Sequence, residues 1–120
     1  MPIPPTLLSG LLLTGDRRER LLQLLRVYRV DRVALHSLVY LLENMYGVEL
    51  GYRECSWKLY ATGPYCSELE EDLRLLTAKG LVRVSEDGTV ETLDTHSQQR
   101  VSVDGGRIVR EAWKLLAFKQ

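Results

Sequence analysis

Apolar positions recur along this chain at two periods, and the changes between them divide it into segments. Leu21, Leu24, Leu25 and Tyr28 fall at i, i+3, i+4 and i+7, the spacing that lays side chains along one helix face. Thr14-Gly15-Asp16 supplies capping side chains just before, so a helix is predicted from about Arg17 to Tyr28. Val30-Asp31 reads as a break with a fresh N-cap, opening a second helix from Arg32 to Tyr46 that Gly47 closes. Val33, Ala34, Leu35, Leu38, Val39, Leu41, Leu42 and Met45 leave little of that helix polar. A helix apolar on most sides is a buried one, so it is expected to be the central packing element.

Between Gly47 and Thr62, Tyr52, Cys55, Trp57, Leu59 and Tyr60 alternate imperfectly with Arg53, Glu54, Ser56 and Lys58. A short strand or extended connection is expected around residues 55–59, and Gly63-Pro64 is expected to turn the chain. Ser67 and Glu70 have the spacing of a capping box. Glu68, Glu70, Glu71 and Asp72 crowd the start of the helix, where its dipole favours negative charge. Leu69, Leu73 and Leu76 make the inner stripe, and Gly80 is the stop. Two valine-rich runs, 81–84 and 89–93, flank Ser85-Glu86-Asp87-Gly88, a strong hairpin signal. A polar loop over 94–100 leads to a third small strand at Val101-Ser102-Val103. Asp104 then caps a last helix from about Arg107 to Phe118, striped by Ile108, Val109, Ala112, Trp113 and Leu116.

This order predicts a mainly α chain with a small β-hairpin (α+β), a winged helix-turn-helix with an extra C-terminal helix. One domain is expected over residues 1–120: an apolar arm (1–15), a helical core (16–80), a wing (81–103) and the C-terminal helix (104–118). With 45% hydrophobic and 27% charged residues over 120 positions, the chain has enough apolar material for a core of its own. The opening MPIPPTLLSGLLLTG has no basic leader and no apolar run near membrane-spanning length. A cytoplasmic protein is expected, without a membrane, its arm folding back or crossing to a second copy. Cys55 and Cys66, 11 positions apart, match no zinc-ligand spacing and read as buried small hydrophobes in a reducing compartment. A disulfide between them is the lesser alternative. Asn44 is the only asparagine, which fits a thermophilic source.

Net charge is zero, so no global field draws the chain to nucleic acid, but the charges are segregated. Residues 1–65 carry a surplus of +2, residues 66–95 one of −5, and residues 96–120 one of +3. A DNA-linked transcriptional regulator acting through arginine-rich surfaces is expected, with an adaptor or antitoxin-like protein-interaction module as the alternative. Arg17, Arg18, Arg20, Arg26, Arg32, Arg53, Arg107 and Arg110 are the candidates for double-stranded DNA phosphates. The expected recognition helix opens on four carboxylates that would repel those phosphates. Glu68, Glu71, Asp72, Glu86, Asp87 and Trp113 are therefore the candidates for a basic protein partner or a second copy. A homodimer through the arm or the C-terminal helix is a further expectation. The carboxylate cluster has no histidine or nucleophile spaced to join it, and no phosphate loop or nucleophile elbow is present. No enzyme, cofactor or metal is expected. His36, with no metal-ligating neighbour in sequence, reads as structural.

Three stretches, LHSLVYLL (35–42), Trp57-Lys58-Leu59-Tyr60 and Gly63-Pro64-Tyr65-Cys66-Ser67-Glu68-Leu69, together with LTAKGLV (76–82), carry a likeness. Over about residues 31–84 the chain resembles Panacea antitoxin-type domains and related winged-helix proteins of bacteria and archaea. The resemblance implies a scaffold that some relatives use to neutralise a toxin and others for DNA-linked regulation.

Overall fold

The helices of this chain start where a side chain accepts the first free backbone N–H groups. In the computed structural model, which describes residues 15–93 and 101–119, Asp16 Oδ1 accepts from the Glu19 N–H at 2.9 Å and opens α1 (Arg17–Val27). Asp31 Oδ1 accepts from Ala34 at 2.8 Å and opens α2 (Arg32–Asn44). Asp104 Oδ1 accepts from Arg107 at 3.2 Å at the start of the last helix, Gly105–Lys119. All three aspartates are legible as caps.

Four residues between the first two helices, Tyr28–Asp31, form β1, where Tyr28 was expected to end the helix and Val30-Asp31 to break the chain. Tyr28 and Val30 are buried while Arg29 is exposed, but a run so short shows no alternation strong enough to announce a strand. Its partners lie far along the chain. β4 (Val82–Val84) and β5 (Thr89–Thr92) form the expected hairpin, and β5 pairs antiparallel with β1, Val30 opposite Val90. β6 (Val101–Ser102) joins the other edge parallel to β1. The sheet order is β4-β5-β1-β6.

A separate antiparallel pair joins β2 (Lys58–Tyr60) to β3 (Gly63–Tyr65). The expectation of a turn at Gly63-Pro64 is corrected: both are strand residues, and Ala61-Thr62 make the turn. Gly63 has φ +108°, and an added Cβ would lie 2.8 Å from Ser37 Oγ, so strand and helix meet there with no room for a side chain.

α3 (Ser67–Ala78) ends as expected at Gly80, φ +75°. The Leu81 and Gly80 N–H groups donate to Leu76 and Thr77 carbonyls, closing the helix in a Schellman cap. Its start differs from expectation. The N-cap is Cys66, one residue before Ser67, and Cys66 Sγ accepts from the Leu69 N–H at 3.4 Å. Glu70 is therefore one position too deep to complete a capping box and turns elsewhere.

The core gathers Leu21, Leu24 and Leu25 of α1, Leu35, Leu38, Val39, Leu41 and Leu42 of α2, and Leu69, Leu73 and Leu76 of α3. Ile108, Ala112 and Leu116 add the inner stripe of α4 (Gly105–Lys119). Every residue of α2 from Ala34 to Glu43 is buried, as its all-round apolar pattern requires. The molecule is an α+β fold of helices around a small mixed sheet and a two-stranded hairpin. The expected arm over residues 1–14 and the polar loop over 94–100 lie outside the described residues.

Candidate functional site

Cys66 ties three things together at the start of α3. Its sulfur is bonded to Cys55 in a disulfide, so the reading of two free buried thiols is corrected. Spacing did not reveal the bond because the intervening β2–β3 pair folds back and brings residues 11 apart together. Glu68 has a carboxylate oxygen within 4.8 Å of both sulfurs, but a metal needs thiolates and the bonded sulfurs offer none.

The Cys66 backbone N–H donates to His36 Nδ1 at 3.1 Å, which places the imidazole proton on Nε2. That nitrogen lies 2.8 Å from Glu70 Oε2. His36 is 3% exposed and stacks on Tyr65 with ring centres 4.7 Å apart. Burial depresses its pKa below the ordinary 6.5, outweighing the pull of Glu70 in the other direction. Burial alone would raise Glu70, but hydrogen bonds from His36 and Arg32 together bring it below its ordinary value. Both imidazole nitrogens are engaged, so His36 has no lone pair free to take a proton from a substrate.

Asp72 is the second knot. It is 2% exposed, where a surface position was expected for partner contact. Arg17 donates to it from Nε at 2.6 Å, and the Tyr52 hydroxyl donates at 2.7 Å. The Arg17 guanidinium also lies over the Tyr52 ring, 5.1 Å from its centre. Burial and the Asp72 carboxylate push the Tyr52 hydroxyl far above its ordinary pKa. Glu43, also buried, accepts the backbone N–H groups of Leu50, Gly51 and Tyr52 on one oxygen and so holds the loop that presents Tyr52. Burial still raises its pKa despite those three donors.

The arginines expected to meet phosphate are largely engaged. Arg17 holds Asp72 and Glu68, Arg18 lies 3.7 Å from Asp72, and Arg32 holds Glu70. Arg20 donates to the carbonyls of Gly15 and Glu49, and Arg53 to that of Glu43. Arg26 is half-buried and engaged within the molecule. Arg107 and Arg110 are exposed on α4 and make no ion pair among the described residues.

Of the acidic candidates, Glu68 faces Arg17 and Glu71 faces Arg74, both at the surface. Glu86 is exposed at the β4–β5 turn. Asp87 accepts from Ser85 Oγ and the Thr89 N–H, which together hold its pKa down at about 2. Trp113 is 42% exposed on α4. Sequence reasoning missed two polar clusters, His36 with Glu70 and Arg32, and Tyr52 with Asp72 and Arg17. No signal in periodicity marks pairings between residues 20 to 55 positions apart.

Chemically, the two clusters lock α3 to α1 and α2 and leave no free base or nucleophile within them. Among the described residues no helix is long and apolar enough to cross a membrane. Comparison of the chain with known protein families, with curated proteins and with solved structures finds no match.

Proposed function

We propose that this chain is a winged-helix protein-interaction module of the adaptor or antitoxin-like kind. The fold part of this reading rests on order: helix, strand, two further helices, then a hairpin whose inner strand pairs with the first strand as β1-β5-β4. The likeness to Panacea antitoxin-type domains points the same way. One observation carries the function. The first two turns of α3, the position a winged helix uses to enter the major groove, are held in ion pairs by Arg17, Arg18 and Arg32. The arginines facing the first turns of α3 are paired within the molecule, Lys79 stands exposed only at its far end, and the adjoining hairpin tip offers Glu86 and Asp87. Phosphate contacts supply most non-specific DNA affinity, and this face supplies few.

The test is a titration of mixed-sequence duplex DNA against the whole chain at low salt, followed by a salt series. The interaction reading expects no saturable binding at micromolar protein. Micromolar binding that falls steeply with salt would overturn it. A DNA-linked regulator, acting through arginine-rich surfaces away from α3, is the second reading. Arg107 and Arg110, open on α4, favour it.

A further inference from the structure

Two surface grooves of similar size differ in how their charges are used. One, of about 360 Å³, runs between α3, β4 and the start of α2, lined by Leu73, Val84, Arg32 and Arg74. Both arginines there are already paired, Arg32 with Glu70 and Arg74 with Glu71. The other, of about 310 Å³, lies where α4 crosses the β2–β3 turn and is lined by Ala61, Val109, Arg110, Trp113 and Lys114. No carboxylate lines it, and neither of its cations makes an ion pair among the described residues. Its floor is aliphatic and aromatic, and both of its charges are positive.

We propose that the α4 groove seats an acidic protein segment that carries one apolar anchor side chain. The inference rests on the protein-interaction reading and names the surface and partner chemistry for it. The anchor lies on Val109 and Trp113, and carboxylates on either side meet Arg110 and Lys114. Trp and Arg are among the residues that most often dominate binding energy at interfaces, and here both border one apolar depression. Charge argues against a second copy as occupant. A two-fold contact through α4 would bring Arg110 and Lys114 of one copy against the same cations of the other. A nucleic-acid strand is the poorer fit, because stacking needs successive aromatic platforms and the groove offers one.

The experiment uses the whole ¹⁵N-labelled chain and follows the indole N–H signals of its two tryptophans. Trp57 serves as internal reference, since its Nε1–H donates to the Tyr52 carbonyl at 3.0 Å. The probes are a helical peptide with one Phe flanked by glutamates, the same peptide with lysines for glutamates, and oligo(dT). The acidic peptide is expected to shift Trp113, leave Trp57 in place and bind at least about tenfold more weakly to Arg110→Glu/Lys114→Glu. Arg110→Ala/Lys114→Ala, a milder change at the same exposed positions, should weaken it in the same direction.

An unmoved Trp113 at millimolar acidic peptide overturns the proposal, as does an equal response to the lysine peptide. Tighter binding of oligo(dT) at Trp113 overturns it in favour of nucleic acid. Loss of a dimer in sedimentation on charge reversal overturns it in favour of a second copy. A peptide that shifts α3 signals but not Trp113 sinks the groove while sparing the interaction reading. Duplex DNA that shifts α3 sinks that reading, and the groove then stands or falls on the Trp113 result alone.

Discussion

Residues 67–78 and residues 105–119 both form amphipathic helices, yet they use charge in opposite ways. The first opens on four carboxylates, and each has a cationic partner within the molecule: Glu68 with Arg17, Glu70 with Arg32, Glu71 with Arg74 and Asp72 with Arg17. The second exposes Arg107, Arg110 and Lys114 with no ion pair among the described residues. A count of charge gives −3 over residues 67–78 and +3 over residues 105–119 and suggests two interaction surfaces of opposite sign. Pairing leaves one. Arginines of α1, α2 and α3 itself pair the carboxylates of α3, whereas Arg107, Arg110 and Lys114 of α4 stay open to a partner.

The comparison breaks most sharply at Asp72. Asp72→Ala leaves the Tyr52 hydroxyl without its acceptor and Arg17 without its buried anion, and it should lower stability by about 3 to 4 kcal/mol in urea unfolding. A loss under 1 kcal/mol would show that the carboxylate is not holding α1 to α3. Reduction of the disulfide with a dithiol, or the Cys55→Ser/Cys66→Ser pair, should lower stability by about 3 kcal/mol, the scale expected for a short closed loop. Identical unfolding curves before and after reduction would argue that the bond constrains nothing.

A third prediction concerns pH. The folded-state pKa of His36 is depressed, so its contribution is present above the ordinary 6.5 and is lost as pH falls below it. Glu70, also depressed, adds a second loss as pH falls below its ordinary 4.5. Glu43 is shifted upward and works in the opposite sense, favouring the fold on the acid side. The melting temperature should therefore begin to fall as pH drops from 7 toward 5, and His36→Gln should flatten that part of the curve. An unchanged slope in the variant would remove His36 as its source. The smallest effects belong to the surface. Arg74→Ala and Arg110→Ala should each leave the melting temperature unchanged within error, because exposed charges add little. A clear drop from Arg110→Ala would mean that α4's charge is used internally after all.

Much of the helical scaffold was legible because its signals are local. Asp16, Asp31 and Asp104 announce helix starts, Gly80 announces an end, and the buried stripes follow from spacing. The strand at Tyr28–Asp31 was not legible, since its identity comes from Val90 and Val101, some 60 to 70 positions away. The start of α3 was misplaced by one residue because Ser67 and Glu70 satisfy a spacing rule that Cys66 overrides from a better position. The charged clusters were hidden for a different reason. Sequence shows that arginine and aspartate are present, but Arg17 and Asp72 become one unit only when α1 and α3 pack together. The open cations of α4, by contrast, were visible as a basic end and stayed at the surface.

The bond between Cys55 and Cys66 also changes what breakage of the chain means. Ala61 and Thr62, the exposed turn between β2 and β3, lie inside the ring it closes. A protease that nicks this turn severs the polypeptide without dividing the molecule. The two halves stay joined and run at the size of the whole chain until a reductant separates them, at which point pieces of 61 and 59 residues run together at about half that size.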